Sequence, residues 1–238
     1  MTYIILIAGE GTKLYPLTLN RSKTLYKLDS KTTVLQRMVK KIRQYDKNAE
    51  IIAVMGFMYE QIKKEIESEN VVTIYNPFFT VTGSIASLWF ARNYLERENV
   101  TIINGDMVFE DKLIEGIVCK DTLYPYVAID SSVKNKEAYN VQINENRICV
   151  MSKELNNFIG KYVGMIKLDA ISARLLKKKV NNMVNIGMYD QLLENVLVQM
   201  IFDDDFELYY EDISNKYKWT EIDCVDDLLI AKEIHLIK

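Results

Sequence analysis

The chain has 238 residues, 49% of them hydrophobic and 26% charged, which suits one domain with a substantial core and argues against wholesale disorder. Its 30 Lys+Arg against 33 Asp+Glu leave a net charge of −3, without the basic excess of a nucleic-acid coat protein. A single histidine, His235, and three scattered cysteines, Cys119, Cys149 and Cys224, leave almost no room for Ser-His-Asp or Cys-His catalysis, His-rich zinc sites or a disulfide framework.

In chain order, TYIILIA at 2–8 is a continuous apolar, β-branched run, as expected of a strand buried on both faces. Residues 33–45 carry Val34, Leu35, Met38, Val39 and Ile42 at helical spacing. EIIAVM at 50–55, VVTIY at 71–75 and NVTII at 99–103 predict further strands, with helices at 58–68 and 84–97 between them. Strands alternating with helices imply right-handed crossovers and a parallel sheet. The second half reads differently. Short β-rich runs at 124–130, 139–143, 147–151 and 162–168 predict antiparallel or mixed additions. Helices follow at 170–180 and 187–200, then strands at 206–211 and 219–223 and a last helix at 225–236. The expected architecture is α/β: a Rossmann-like, mainly parallel sheet flanked by helices, with a small β-rich insertion over its C-terminal edge, where open α/β sheets bind ligands. No apolar run reaches the roughly 18 residues of a membrane span. Neither a membrane nor a nucleic acid is an expected partner, and reduced thiols fit a cytoplasmic protein.

The first strand runs into LIAGEGTKLYPLT at 6–18. Gly9 and Gly11 permit close backbone approach, and the amides from Gly9 to Thr12 suit a concave anion site beside Lys13. Leu14 stands where a dinucleotide fingerprint needs its third glycine, and no Walker loop is present. NGDMVFE ends the fourth strand at Gly105-Asp106, and WTEIDCVDDL ends the last one at Asp223. As ordinary residues these acids would be a turn residue and a helix N-cap. Placed together at one sheet edge, they form a hard-oxygen pair suited to Mg²⁺.

LIAGEGTKLYPLT followed by SKTL at 22–25 resembles the signature of the nucleoside-diphosphate-sugar pyrophosphorylase and cytidylyltransferase superfamily. Lys13 stands where arginine is usual, which keeps the charge but loses the bidentate fork, and Ser22 stands where proline is usual. The resemblance implies a GT-A-like nucleotidyltransferase fold. It also implies one domain over 1–238, with a nucleotide-binding half at 1–110 and an acceptor-binding half at 111–238. Lys13 would face the β- and γ-phosphates, Lys23 the α-phosphate and the acceptor phosphate. Asp106 and Asp223 would bind the metal, and these four residues form the expected catalytic set. Leu6, Ala8, Gly9, Glu10, Gly11, Thr12, Lys13, Tyr75, Asn76, Gly83, Ser84 and Gly105 are the implied nucleotide-binding residues.

YNPFF at 75–79, SIASLWFARNYL at 84–95, NGDMVFE and EIDCVDDLLIAKEI at 221–234 are most similar to the phosphocholine cytidylyltransferase branch. That branch couples CTP to small phosphorylated head groups for surface glycans and uses Mg²⁺. Glu137, Tyr139, Tyr189 and Asp190 lie where the branch meets the head group, and Lys153 is a candidate for the acceptor phosphate. Ala138 replaces a tryptophan of choline-handling members, so a primary amine or zwitterion is a further acceptor candidate. The expected partners are CTP and a small phosphorylated acceptor, in a monomer or homodimer. A sugar 1-phosphate nucleotidyltransferase and a non-catalytic nucleotide-binding protein are the alternatives.

Overall fold

The computed structural model describes residues 1–237; Lys238, included in the expected domain, lies outside the described residues. β1 (Thr2–Ile7) is the hub of the sheet. Ile4 points into one core and Tyr3, Ile5 and Ile7 into the other, which is why this strand shows no polar alternation. α1 (Val34–Tyr45) starts from a capping box in which Thr33 and Gln36 exchange hydrogen bonds. β2 (Glu50–Met55), α2 (Tyr59–Glu65), β3 (Val72–Tyr75), α3 (Ser84–Phe90) and β4 (Asn99–Asn104) complete the alternating half. Strands β3, β2, β1 and β4 lie side by side and parallel.

The second half adds β5 (Met107–Phe109), α4 (Asp111–Leu113) with a π turn over Ile114–Val118, β6 (Tyr126–Asp130), β7 (Asn140–Asn144) and β8 (Arg147–Ser152). Then come β9 (Gly160–Asp169), α5 (Ala170–Asn185), α6 (Leu193–Asp203), β10 (Tyr209–Asp212), β11 (Trp219–Glu221) and α7 (Val225–Leu236). β9 pairs antiparallel with β4, β6 and β7, while β10 joins β6 to β8. With the β7–β8 hairpin, these pairings close a small ring of strands beside the parallel sheet.

Four expectations need correction. The strand expected at 219–223 does not extend the main sheet; β11 forms a separate two-stranded ladder with β5, which the sequence reading missed. The helix expected at 84–97 stops at Phe90 and continues as a 3₁₀ segment, Arg92–Glu96, because the fully buried Ala91 leaves helical geometry there. The helix expected from 187 starts at Leu193. Carbonyls of Tyr189 and Gln191 accept the Gly83 and Ile85 amides at 3.0 and 3.2 Å, so 189–191 satisfies orphan donors at the start of α3 instead of coiling. The strand expected at 206–211 is confined to Tyr209–Asp212; Phe206 and Leu208 just before it still pack into the core.

The segment after β1 forms 3₁₀ turns at Thr12–Leu14, Leu17–Leu19 and Lys23–Leu25. Gly11 adopts a left-handed conformation with φ 68°, and its carbonyl accepts the Thr18 hydroxyl at 2.9 Å. Leu14 anchors this strap in a third core with Val108, Ile222, Leu228, Ala231 and Ile234, so the C-terminal helix holds the glycine strap against the β5–β11 ladder. Gly105 makes the turn out of β4. A Cβ there would lie 1.8 Å from Ile7 Cγ2, so only glycine fits. Gly105→Ala is therefore expected to destabilise the fold by about 1–3 kcal/mol, as overpacking does. Urea denaturation measures this, and a change near zero would contradict the packing argument.

Candidate active site

The β5–β11 ladder brings together acids that are far apart in sequence. Met107 pairs with Glu221, and the Ile222 amide donates to the Asp106 carbonyl at 3.1 Å. Asp106 and Asp223 thereby sit at the same end of the ladder. Glu221 and Asp223 are two residues apart on extended chain and project to the same side. One carboxylate oxygen from each of Asp106, Glu221 and Asp223 lies within 4.8 Å of the others. The cap of α7 leaves Asp223 free for this cluster. Cys224 is the N-cap, and Asp227 accepts the amides of Asp223 and Cys224 at 2.9 and 2.8 Å.

The two lysines of the glycine strap meet these acids. Lys13 Nζ lies 2.6 Å from Asp223 Oδ2. Lys23 Nζ bonds Asp106 and stands 3.6 Å from Asp223 Oδ1. Burial opposes the charge of each lysine, but the neighbouring carboxylates outweigh it and raise both pKa values above the ordinary range. Burial likewise pushes the Asp223 carboxyl up, yet the Lys13 hydrogen bond and the charges of Lys23, Lys13 and Lys161 hold it below its usual range. Lys161 adds a third amine, with Nζ 2.7 Å from Glu221 Oε2.

Two adjoining cavities meet at the cluster. The narrower, about 290 Å³, is lined by Leu6, Ala8, Gly9, Gly11, Gly83 and Ser84, with Lys23 and Asp106 also on its wall. The wider, about 950 Å³, is lined by Glu137, Tyr139, Lys153, Lys161, Glu194 and Trp219, and Lys13, Glu221 and Asp223 border it. Ser84, Asn104 and Leu192 belong to both walls.

Glu10, Thr12, Tyr75, Asn76 and Gly105 stand outside both linings. Tyr75 packs on Tyr59 with ring centroids 4.6 Å apart. Asn76 is fully buried and braces the floor of the narrower cavity through Thr82 and Ser87, each at 3.1 Å. The Ser84 hydroxyl accepts the Leu193 amide at 2.8 Å. Tyr189 and Asp190, expected at the acceptor, also lie outside both linings. The Tyr189 backbone braces Gly83, and the Asp190 carboxylate accepts from Gln191.

Sequence reasoning missed Glu221, Lys161 and Glu194. Period-two spacing in TEID was a signal for Glu221; Lys161 and Glu194 had none, because LLENV and GKYVG resemble ordinary helix and strand. Glu194 is 9% exposed and lines the wider cavity. Among the described residues its carboxylate has no ion-pair partner. Burial, reinforced by the charges of Glu221 and Asp106, pushes its pKa up to about 6 against the pull of its own backbone amide and of Lys153. Tyr139 and Tyr162 both lie close enough to feel its charge.

Three carboxylates, three amines and a backbone strap with two glycines meet here: hard-oxygen donors of the kind a divalent metal takes, beside ammonium groups of the kind that pair with anionic oxygens. The profile of the nucleotidyl transferase family matches residues 2–139. The bifunctional protein GlmU of Methanocaldococcus jannaschii is 28% identical over 182 residues, covering 75% of this chain and 42% of that protein. The chain thus spans less than half the length of that relative. The choline-phosphate cytidylyltransferase of Streptococcus pneumoniae is 23% identical over 236 residues, covering 98% of both chains. A solved structure of CTP:phosphocholine cytidylyltransferase from Streptococcus pneumoniae superposes with a TM-score of 0.80 at 20% identity, covering 98% of each chain; at that identity the likeness speaks for the fold. The family profile spans more than half of the chain and contains the glycine strap, Lys13, Lys23 and Asp106: the chain belongs to the nucleotidyl transferase family.

Proposed function

We propose that this nucleotidyltransferase joins CTP to a small phosphorylated or phosphonylated amine, in a Mg²⁺-dependent reaction that releases pyrophosphate. The observation that carries the reading is the meeting of Lys13 and Lys23 with Asp106 and Asp223 at the junction of the two cavities. Nucleotide in the narrower cavity and acceptor in the wider one would bring two anionic groups together at that junction. An oxygen of the ionised acceptor phosphate attacks the α-phosphorus, and the bond to the β-phosphate oxygen breaks in line. No general base is needed, which suits a chain with one histidine near its end.

The work left to the protein is alignment and charge neutralisation. The amide-rich Gly9–Thr12 turn and Lys13 serve the β- and γ-phosphates, and Lys23 serves the α-phosphate and the incoming oxygen. To do so both amines exchange carboxylate partners for phosphate oxygens. Asp106 and Asp223, with Glu221 beside them, fit a Mg²⁺ ion: all donors are hard oxygens, and Asp106 Oδ1 is buried without a hydrogen-bond partner among the described residues. Bound there, Mg²⁺ supplies further neutralisation of the phosphate oxygens.

Cytidine and the amine head group rest on the resemblance to the phosphocholine branch and on Glu194. A buried carboxylate beside two tyrosine rings, without an ion-pair partner among the described residues, favours a cationic ligand. The resemblance to the nucleoside-diphosphate-sugar pyrophosphorylases leaves a sugar 1-phosphate as the second reading.

Three outcomes are expected. With CTP and Mg²⁺, pyrophosphate is released in the presence of phosphocholine, phosphoethanolamine or 2-aminoethylphosphonate; turnover with sugar 1-phosphates alone would overturn the amine reading. Lys23→Ala slows turnover about a hundred- to thousand-fold, as loss of one preorganised electrostatic group does; full activity would remove Lys23 from the mechanism.

The third concerns stability. Glu194 holds its proton more tightly in the fold, near pH 6 against an ordinary 4.5 for a solvated glutamate, so wild-type stability falls as pH rises through this window. Glu194→Gln is therefore expected to stabilise the free protein by about 2 kcal/mol at pH 7.5, with the gain vanishing below pH 4.5. Thermal denaturation across that range measures it, and a gain independent of pH would contradict the assignment.

A further inference from the structure

Lys161 lies in GKYVG, outside every stretch that carries the resemblance. Its backbone is clamped between two strands, facing Asp130 on β6 and Asn140 on β7. Gly160, just before it, permits that approach, since a Cβ there would lie 2.6 Å from the Asp130 carbonyl oxygen. The side chain is held as firmly. Nζ stands 5.1 Å from the centre of the Trp219 ring. The indole N–H donates to the buried Asp130 carboxylate at 2.7 Å, which fixes the ring. Only 16% of the Lys161 side chain is exposed.

An ammonium has three donors. Glu221 takes one, and among the described residues no second hydrogen-bond acceptor is present, while the residue lines the wider cavity. Through Glu221 the amine also touches the carboxylate cluster. Lys13 and Lys23 approach that cluster from the glycine strap. Lys153 lines the wider cavity too, but its Nζ lies over the Tyr139 ring at 5.3 Å, and it forms no ion pair with the cluster. Lys161 is thus the preorganised, largely buried amine on the acceptor side of the reaction centre, where a second polyanion must be brought against the first.

We propose that Lys161 is a substrate-binding residue that receives the acceptor's phosphate or phosphonate oxygens and holds them beside the cluster. The proposal rests on the nucleotidyl-transfer reading above. The charge-assisted hydrogen bond is made to the acceptor, while Trp219 beneath and Glu221 beside the amine fix where the donors point. In this arrangement Glu221 is a positioning residue for Lys161.

Initial-rate kinetics of Lys161→Met and Lys161→Arg, with CTP affinity measured by calorimetry, test the assignment. Lys161→Met is expected to raise the acceptor KM about 10- to 100-fold, the loss of one charge-assisted hydrogen bond, with CTP affinity changed by less than about twofold. Lys161→Arg is expected to recover part of the loss, and inorganic phosphate to compete less well with the acceptor in Lys161→Met than in wild type. An unchanged acceptor KM would overturn the proposal, and so would a parallel loss of CTP affinity, which marks a structural role. Glu221→Gln is expected to reproduce part of the Lys161→Met defect and to add little to it in the double variant, because Glu221 acts through the amine; fully additive losses would overturn that coupling. Absence of pyrophosphate release by wild type with every phosphorylated acceptor would instead defeat the nucleotidyl-transfer reading itself.

Discussion

Three carboxylates converge to within 4.8 Å at a half-buried sheet edge, and the rest of the site follows from what that demands. Two unit charges at that separation repel by about 3–4 kcal/mol at an effective dielectric constant near 20. The group stays ionised only with cations interleaved. Lys13, Lys23 and Lys161 supply them, and the depressed Asp223 pKa reports their effect. Phosphate oxygens attract the same amines. On the proposed reading, carboxylates and substrate compete for one set of ammonium groups, and a divalent ion held by the acids would release the amines to the phosphates.

The fold holds these charges at fixed separation. The parallel half delivers the glycine strap and Asp106 from the C-terminal ends of β1 and β4, adjacent strands in which Leu6 pairs with Asn104. The side ladder of β5 and β11 then carries Asp223 across to Asp106. The small third core, where Leu14 meets Ile222 and Leu228, ties the strap to the last helix. Without it, Lys13 and Lys23 would ride on an untethered loop, and alignment would cost conformational entropy at each turnover.

Much of this was legible in the sequence because it is local. TYIILIA declares a strand buried on both faces, the glycines after it declare a close-approach loop, and Asp106 and Asp223 stand at strand ends by simple counting. The structure gathers Lys13, Lys23, Asp106 and Asp223 into one cluster. Less legible were features set by tertiary packing. Strands of three residues such as β5 and β11 carry too little periodicity to announce a pairing partner. The segment at 189–191 looks helical but is drawn out to satisfy the start of α3. Lys161 and Glu194 are charged residues in apolar surroundings, and nothing in one dimension says that a cavity opens in front of them.

On the proposed reading, Lys13 and Lys23 trade carboxylate partners for phosphate oxygens when a metal–nucleotide complex enters. A crystal structure with CTP and Mn²⁺, phased on the manganese anomalous signal, tests it most directly. The metal peak is expected between Asp106 and Asp223, with Lys23 Nζ on the α-phosphate and Lys13 on the terminal phosphates. Metal bound away from these aspartates, or both lysines still paired with them while the triphosphate lies elsewhere, would contradict it.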